Sequence, residues 1–399
     1  MIKIALFSFG TLSVLVAGGY TIPETSLNSV ALSAANIAHN HSADTAYYNP
    51  ANMAFMKDEN SLEVDMMYVG LGSNNYKGTH SATGEIRHDI DSKSEKFLVP
   101  SFHYVSSKAN EARVGLSIVV PAGLSKRWDI QPAKSFAEEF TLQVVEINPS
   151  VAFTLHDKVA LAFGFRILQS EGIVKSSGLV SRDLKGNSID YGYNLALSYK
   201  PLTDLDIALT YRSKVNLTLQ GDAKLYSGIT LAYDNDVSVG VPLPATASIA
   251  FAYTLPFKTT LEFVYERDFW SAYHELDFDY ATSIGGLTPY FDTPIAKDWN
   301  DINIFRLGIT QELDKLSLMA GMVYSESAIP EETFSFELPE TNSLSLSLGG
   351  RYQISEKVDI GLAALYSMRE TRSVTNNSLS GEFSNGNILL VSAGIGYKF

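Results

Sequence analysis

The sequence contains no cysteine among its 399 residues, which excludes disulfide bonds, thiolate metal sites and cysteine nucleophiles. Charged residues make up only 19% of the chain, and the excess of acidic over basic residues gives a net charge of −14. Because phosphate binding needs a basic surface, we expect no nucleic-acid partner. After the first 20 residues there is no apolar run of roughly 18 residues, so a bundle of membrane helices is excluded.

Residues 1–17 have the features of a secretory signal peptide. Lys3 supplies the positive end, an uncharged and mostly apolar stretch follows, and Ala17 is a small residue suited to cleavage. The alternative, a membrane anchor, is disfavoured because the segment is too short and no basic stop follows it. We therefore predict an exported protein.

From about residue 60 onward, apolar and polar side chains alternate with a period of two. Between residues 191 and 199, tyrosines and leucines form one face, with tyrosines at both ends, and small or polar residues form the other. Aromatic rings at both ends of an apolar face are typical of a strand that crosses a bilayer. The strands of a soluble β-sandwich also alternate apolar and polar side chains. The lengths of the connections therefore have to distinguish a sandwich from a transmembrane barrel.

Short turns and long connections alternate strictly along the chain. The predicted strands lie near 61–72, 97–107, 112–121, 141–155, 158–169, 187–200, 204–220, 243–254, 258–275, 300–312, 315–326, 342–355, 357–371 and 384–399. The predicted long loops are 73–96, 122–140, 170–186, 221–242, 276–299, 327–341 and 372–383. This sorting is typical of outer-membrane barrels, whose turns are periplasmic and whose loops are extracellular. We predict an all-β fold in which residues 59–399 form a 14-stranded antiparallel transmembrane β-barrel.

Residues 18–58 do not alternate. Their alanines at 31, 34, 35 and 38 suggest a short helical stretch, which Asp44 and then Asn49-Pro50-Ala51 follow. A barrel of 14 strands encloses more space than its own side chains fill. We therefore predict that this segment folds inside the barrel as a plug, or hatch; the alternative is a flexible periplasmic tail.

The sequence resembles the FadL family of outer-membrane long-chain fatty acid transporters, which also includes TodX-like aromatic hydrocarbon channels. The alanine-rich run with Asp44, Asn49, Pro50 and Ala51 is similar to the N-terminal hatch of that family. Further similar passages follow in order at 121–128, 147–158, 211–223, 328–330 and 338–340. Two departures are that Ala122 stands where the family usually has Phe, and that the alanine run lacks the usual glycines.

The resemblance implies passive uptake of hydrophobic compounds, first of all long-chain fatty acids, without a reaction, a cofactor or a metal. Such proteins are understood to capture the cargo in outer loops, hold it in an internal apolar pocket and release it sideways into the bilayer. The alternatives are a TodX-like channel for aromatic hydrocarbons and a general porin, which would conduct ions readily. A lipase would need a matched His and Ser, and no such motif is present. We expect a monomer in contact with outer-membrane lipid and lipopolysaccharide.

On this hypothesis the outer capture site lies in segment 122–140. Its apolar candidates for substrate contact are Leu124, Trp128, Phe136 and Phe140. The alternative for each single residue is that it packs the loop onto the rim of the barrel.

Inside the lumen, the candidate partners for a carboxylate head group include Arg166 and Arg212. The alternative is that lumen cations pair with acidic residues of the wall and the hatch, because charges in a confined wall seek partners. The candidate acids are Asp65, Asp206, Glu262, Glu266 and Asp44. Pro100 and Pro149 each remove a backbone donor inside a predicted strand, so they are the candidate positions of the lateral opening.

Overall fold

The computed structural model describes residues 18–399, so the predicted signal peptide, residues 1–17, lies outside the described residues. Fourteen antiparallel strands form a closed barrel, as predicted. The strands are Ser61–Leu71, Glu95–Val105, Ala112–Arg127, Glu139–His156, Val159–Ser177, Val180–Leu202, Leu205–Arg212 continued by Val215–Ser227, Thr230–Leu243 continued by Thr246–Thr254, Thr259–Asp268, Ile302–Glu312, Leu316–Ser325, Ser343–Gln353, Val358–Arg369 and Ile388–Lys398. The first strand pairs with the last from Ser61↔Lys398 to Leu71↔Ile388, which closes the barrel.

The outward face of the barrel is a belt of exposed apolar side chains. On the sixth strand, Tyr191, Tyr193, Leu195 and Tyr199 are exposed, and Asn194 and Ala196 between them are buried. Each of the fourteen barrel strands carries exposed apolar side chains of this kind. Because lipid tails cover such a belt, the exposed side chains need no further partner.

Two predicted long loops are wrong, because the strands continue through them. The fifth and sixth strands stay paired from Val159↔Tyr199 to Ser177↔Ser181, so segment 170–186 is a hairpin rather than a loop. Segment 221–242 is likewise a hairpin with its tip at Gly228 and Ile229. Segment 122–140 is shortened in the same way, since Arg127 ends the third strand and Glu139 begins the fourth.

The remaining long loops carry short elements above the barrel. The first and last loops combine into one four-stranded sheet. Its strands are Asn74–His80, Gly84–Asp91, Arg372–Thr375 and Leu379–Asn385. The other loop elements are the helices Lys134–Ala137 and Thr288–Phe291, the 3-10 turns Ser81–Thr83, Trp270–Ala272, Gly285–Leu287 and Glu331–Thr333, and the strands Glu275–Leu276, Phe278–Tyr280 and Ile295–Ala296. No helix within residues 18–399 combines the length and the apolar character that a membrane crossing would need.

Residues 18–58, which we call the N-terminal segment, pack against inward-facing side chains of the barrel. The helix Leu27–Ala31 contacts the last three strands, and the 3-10 helix Pro50–Phe55 contacts the third to sixth strands on the other side. Close approach is possible because the facing wall position is Gly321, where a Cβ atom would lie 2.3 Å from the Leu32 carbonyl carbon. The segment therefore crosses the lumen from wall to wall.

The alanine-rich run of this segment is not one helix, contrary to our expectation. The helix ends at Ala31, because Ser33 and Ala34 adopt left-handed backbone conformations with φ of 51° and 59°. A residue in this region commonly ends a helix, and glycine adopts it at the lowest cost. The chain then turns toward the helix Thr45–Tyr48.

We expect Leu195→Arg to destabilise the barrel by about 2–4 kcal/mol, because it places a charge in the hydrocarbon layer between two aromatic girdles. The matched control is Ile229→Arg, since Ile229 is fully exposed at a hairpin tip in water. Urea unfolding in phospholipid vesicles measures both free energies. Equal stability of the two variants would show that Leu195 does not face lipid.

Candidate functional site

The third strand bends into the lumen at Val120 and Pro121. Its register with the fourth strand shifts there, from Val119↔Glu146 to Ala122↔Val144, so the third strand carries one extra residue. Such a bulge bends a strand and interrupts the ladder. Proline supplies no backbone donor, which suits it to this position.

The N-terminal segment replaces the backbone partners that the bend removes. Ile22 donates its N–H to the Pro121 carbonyl at 2.8 Å, and Gly123 donates to the Tyr20 carbonyl at 2.9 Å. Thr21 and Ala122 form an antiparallel bridge. The bent part of the third strand therefore pairs with the N-terminal segment inside the barrel.

On its other side, the bend leaves a break in the barrel wall. Pairing between the second and third strands runs only from Val105↔Gly115 to Phe102↔Ile118. Above it, the next contacts between the two strands are side-chain contacts, such as Ser125 Oγ to Glu95 Oε2 at 2.7 Å. We call the interval between residues 96–101 and 119–124 the wall window.

The two prolines singled out from the sequence lie in different surroundings. Pro100 pairs with Met66 of the first strand, and its other side faces the wall window. Pro149 pairs with Leu116, and on its other side the ladder to the fifth strand skips from Ile147 to Ser150. The shorter break at Pro149 is bridged by the Asn148 side chain, which donates to the Phe165 carbonyl at 2.9 Å. The bend at Pro121 itself was not among the predicted positions.

An apolar cavity lies in the outer half of the barrel, beneath the loops. Its empty volume, which includes space open to solvent, is about 790 Å³. Its apolar lining includes Leu124, Phe140, Leu142, Leu184, Leu219, Val239, Leu276 and Phe278. We call it the upper cavity.

Part of this lining exists because the seventh strand changes face. The sequence predicts one continuous strand over 204–220, but the strand is interrupted after Arg212. At the interruption, the odd-numbered positions change from the outward face to the buried face. Leu209 is exposed to lipid, whereas Val215, Leu217 and Leu219 are buried in the lumen. Because a shift of one residue moves every following side chain to the opposite face, three apolar residues turn inward.

Aromatic residues form the floor of the upper cavity. Tyr20 of the N-terminal segment donates its hydroxyl to the Pro242 carbonyl and packs edge-on against Trp270 at 4.8 Å between ring centroids. Tyr273 and Trp299 pack beside it. Burial raises the pKa of the Tyr20 and Tyr273 hydroxyls, so both stay neutral at physiological pH.

A second cavity, with an empty volume of about 770 Å³, lies below this floor, and both apolar and charged side chains line it. Pro121 and Ile22 line it on the side of the bend, and Arg166 and Arg212 line it on the wall. We call it the lower cavity. The same few residues of the N-terminal segment therefore separate the two cavities and border the wall window.

Arg166 and Arg212 share one carboxylate, that of Glu146. Arg166 Nη2 lies 2.9 Å from Glu146 Oε2, Arg212 contacts the other oxygen, and all three side chains are largely buried. Arg212 also lies over the Tyr47 ring, 4.2 Å from its centroid. Both arginines therefore pair with an acidic residue of the wall, and this ion-paired cluster borders the lower cavity.

Other lumen charges are paired as well, often with residues of the N-terminal segment. Arg306 contacts Glu266 at 2.8 Å and Glu24 at 3.6 Å, and Arg351 contacts Glu63 and Asp359. Of these acids, only Glu266 was among the partners suggested by the sequence. Glu262, another suggested partner, instead accepts the backbone N–H groups of residues 37–39.

Asp44, Asn49 and Pro50 organise the N-terminal segment internally. Asp44 accepts hydrogen bonds from Ser26 Oγ at 2.7 Å and Asn40 Nδ2 at 3.0 Å, and two further asparagines donate at longer range. Asn49 Nδ2 donates to Ser198 Oγ of the wall, and its Oδ1 accepts the Ala51 N–H. Pro50 begins the 3-10 helix, where its missing donor costs nothing.

The apolar residues predicted in segment 122–140 separate into three environments. Leu124 and Phe140 line the upper cavity. Trp128 is fully buried above it, and its Nε1 donates to the Phe336 carbonyl at 2.9 Å. Phe136 is partly exposed and packs on His80, with 4.5 Å between ring centroids. Within residues 18–399, no cluster of three His, Asp or Glu side chains is arranged to hold a metal ion.

A closed outer-membrane barrel with an apolar internal cavity defines the class of a transport protein for hydrophobic compounds. The family model of outer membrane protein transport proteins (OMPP1/FadL/TodX) matches residues 11–399. The chain belongs to this family. A comparison with curated protein sequences finds no significant match.

The fold is similar to those of solved family members. A FadL homologue of Pseudomonas aeruginosa superposes with a TM-score of 0.84 at 18% identity, covering 95% of this chain and 99% of that chain. The toluene transporter TbuX of Ralstonia pickettii has a TM-score of 0.72 at 16% identity, covering 94% and 98%. The toluene transporter TodX of Pseudomonas putida has a TM-score of 0.71 at 16% identity, covering 94% and 97%. The protein is therefore an outer-membrane transport protein of the FadL and TodX type.

We expect Glu146→Gln to lower the free energy of unfolding by about 3–5 kcal/mol, because it leaves two buried arginines without an anion. Glu139→Gln is the control, since Glu139 pairs with Arg127 and Lys175 closer to solvent and loses less. Urea unfolding in vesicles compares the two. A wild-type midpoint for Glu146→Gln would mean that the arginines do not depend on it.

Proposed function

We propose that the protein carries long-chain fatty acids passively across the outer membrane, as a monomer surrounded by outer-membrane lipid and lipopolysaccharide. The observation that carries the proposal is the upper cavity, an apolar chamber contributed by six neighbouring strands and three loops or segments. A long alkyl chain gains roughly 25 cal/mol for each Å² that it removes from water there. Cargo enters between the outer loops, where Leu124, Phe136 and Phe140 supply apolar surface.

The exit is the wall window. Cargo moves from the upper to the lower cavity past Tyr20 and leaves beside Pro121 into the bilayer. Arg166 and Arg212 border this path, and their shared carboxylate leaves one positive charge in excess for a passing head group. Pro100 lies on the opposite edge of the window. Because proline has no backbone N–H, this position leaves no unpaired donor facing the lipid.

The N-terminal segment serves as the hatch. Its residues 20–22 lie between the two cavities, and it is held to the wall through Asn49 and through Glu262, which accepts three of its backbone amides. The hatch therefore directs cargo sideways rather than into the periplasm. A TodX-like channel for aromatic hydrocarbons is the second candidate, because the same apolar lining suits an uncharged ring.

Uptake of labelled oleate and labelled toluene, in cells whose own carriers are deleted and which do or do not produce this protein, tests the cargo. We expect the protein to raise oleate uptake severalfold and to leave toluene uptake near the background. A rise with toluene alone would replace fatty acids by hydrocarbons as the cargo. No rise with either compound would remove both assignments.

Deleting Pro121 should abolish the added oleate uptake while the barrel still folds. The deletion removes the one extra residue of the third strand, so the strand can pair regularly and the window closes. Pro121→Ala is the control, because it keeps the extra residue and should transport nearly as well as the wild type. Folding is checked by the heat-dependent shift of the barrel on a gel. Full uptake by the folded deletion variant would place the exit elsewhere.

A further inference from the structure

Asp268 is a buried carboxyl group that lines the lower cavity and lacks a partner. It ends the ninth strand, is 2% exposed and lines the cavity together with Glu266 and Arg306. Its Oδ1 is buried without a hydrogen-bond donor, and no cationic nitrogen of residues 18–399 lies within 4.0 Å of the carboxyl group. Burying a charged carboxylate without a partner is costly, so such a group takes up a proton or binds a ligand.

Three carboxyl groups share a single guanidinium at this place. The Arg306 nitrogens lie 2.8 Å from Glu266 Oε1 and 3.6 Å from Glu24 Oε1, and Asp268 is the third acid that interacts with Arg306 electrostatically. Glu266 also accepts a hydrogen bond from Ser248 Oγ, whereas Glu24 Oε2 is buried without a partner. Like charges this close do not all ionise in a buried site, so these three acids retain protons.

The other charged and titratable groups around the lower cavity come from further strands and from the N-terminal segment. They are Arg166 and Arg212 with their shared partner Glu146, and the hydroxyls of Tyr47 and Tyr48. Burial raises the pKa of the Glu24 carboxyl to about 7, against the opposing effect of Arg306. The cavity therefore combines acids that hold protons with two arginines that share one anion.

The path proposed for the cargo ends in lipid, where a carboxylate is far more costly than a neutral acid. Pro121, which marks the bend beside the wall window, lines the lower cavity together with Asp268. A fatty acid that reaches this cavity as an anion therefore has to lose its charge there before it enters the bilayer. A protonated carboxyl group with an unused oxygen is suited to supply that proton.

We propose that the acidic cluster of Glu24, Glu266 and Asp268 protonates the cargo, and that Asp268 is the residue that transfers the proton. The O–H bond of the Asp268 carboxyl breaks, and an O–H bond forms on the cargo carboxylate. The neutral fatty acid leaves through the wall window. Asp268 remains as a carboxylate near Arg306 until a hydronium ion from bulk water protonates it again. The inference rests on the proposed function, since it needs a carboxylate as cargo and a lateral exit.

The test measures uptake of labelled oleate and of labelled oleyl alcohol, which has the same chain without the acid, in cells whose own carriers are deleted. For Asp268→Asn, we expect the added oleate uptake to fall about tenfold at about pH 8, because the cargo stays charged. The loss should largely disappear at about pH 5, where water already protonates a good part of the cargo. Oleyl alcohol uptake should change by less than about twofold at both pH values.

Two variants control for the change at this position. Asp268→Glu keeps a titratable proton and should restore most of the oleate uptake at about pH 8. Asp301→Asn should transport like the wild type, because Asp301 lines neither cavity and already accepts hydrogen bonds from the Ser271 N–H and from Arg267. The heat-dependent gel shift checks that each variant is folded. Asp268→Asn should fold, because asparagine introduces no buried charge.

The outcomes separate this inference from the proposed function. A loss that is confined to oleate and reversed by acid supports proton transfer by Asp268. Equal losses for both compounds, a loss that acid does not reverse, or no loss at all overturns it, while oleate uptake by the wild type keeps the proposed function in place. If the wild type raises the uptake of neither compound, the proposed function itself fails.

Discussion

A bilayer offers no hydrogen-bond partners to the backbone, so each barrel strand depends on its neighbours for its amide and carbonyl groups. The closed ladder from the first to the last strand satisfies this requirement around the barrel. Where the third strand bends inward, the requirement is met from inside, because Tyr20 and Ile22 pair with residues around Pro121. The wall can therefore be interrupted without leaving the bent strand unpaired.

The same constraint applies to charges in the lumen. The wall carries buried arginines at several levels, and each pair fixes a different part of the structure: Glu146 joins the fourth, fifth and seventh strands, and Arg306 joins the wall to Glu24 of the N-terminal segment. Since removing either partner leaves a buried charge, these pairs hold the segment in one position. The apolar upper cavity thus lies above a lower half in which ion pairs connect the strands and the N-terminal segment.

The barrel could be predicted from the sequence because lipid imposes a strict pattern, as between residues 191 and 199. Above the membrane no such pattern is required, so the tops of the fifth to eighth strands were mistaken for loops. The inversion after Arg212 was missed because a local shift of one residue leaves no compositional mark, although it turns Leu217 and Leu219 inward. Glu146 was missed for a similar reason. Its pairing with Arg166 depends on the register of two strands, which spacing along the chain does not reveal.

Residues 20–22 unite the functional parts of the molecule. Tyr20 forms the floor of the upper cavity, Ile22 lines the lower cavity, and both pair with the bent third strand beside the wall window. These contacts are hydrogen bonds and ring contacts, each worth about 1 kcal/mol, rather than a continuous ladder. A displacement of these three residues would therefore remove the floor and free the edge of the window in one step. On the proposed function, this short paired segment is the place where cargo binding above is coupled to release at the side.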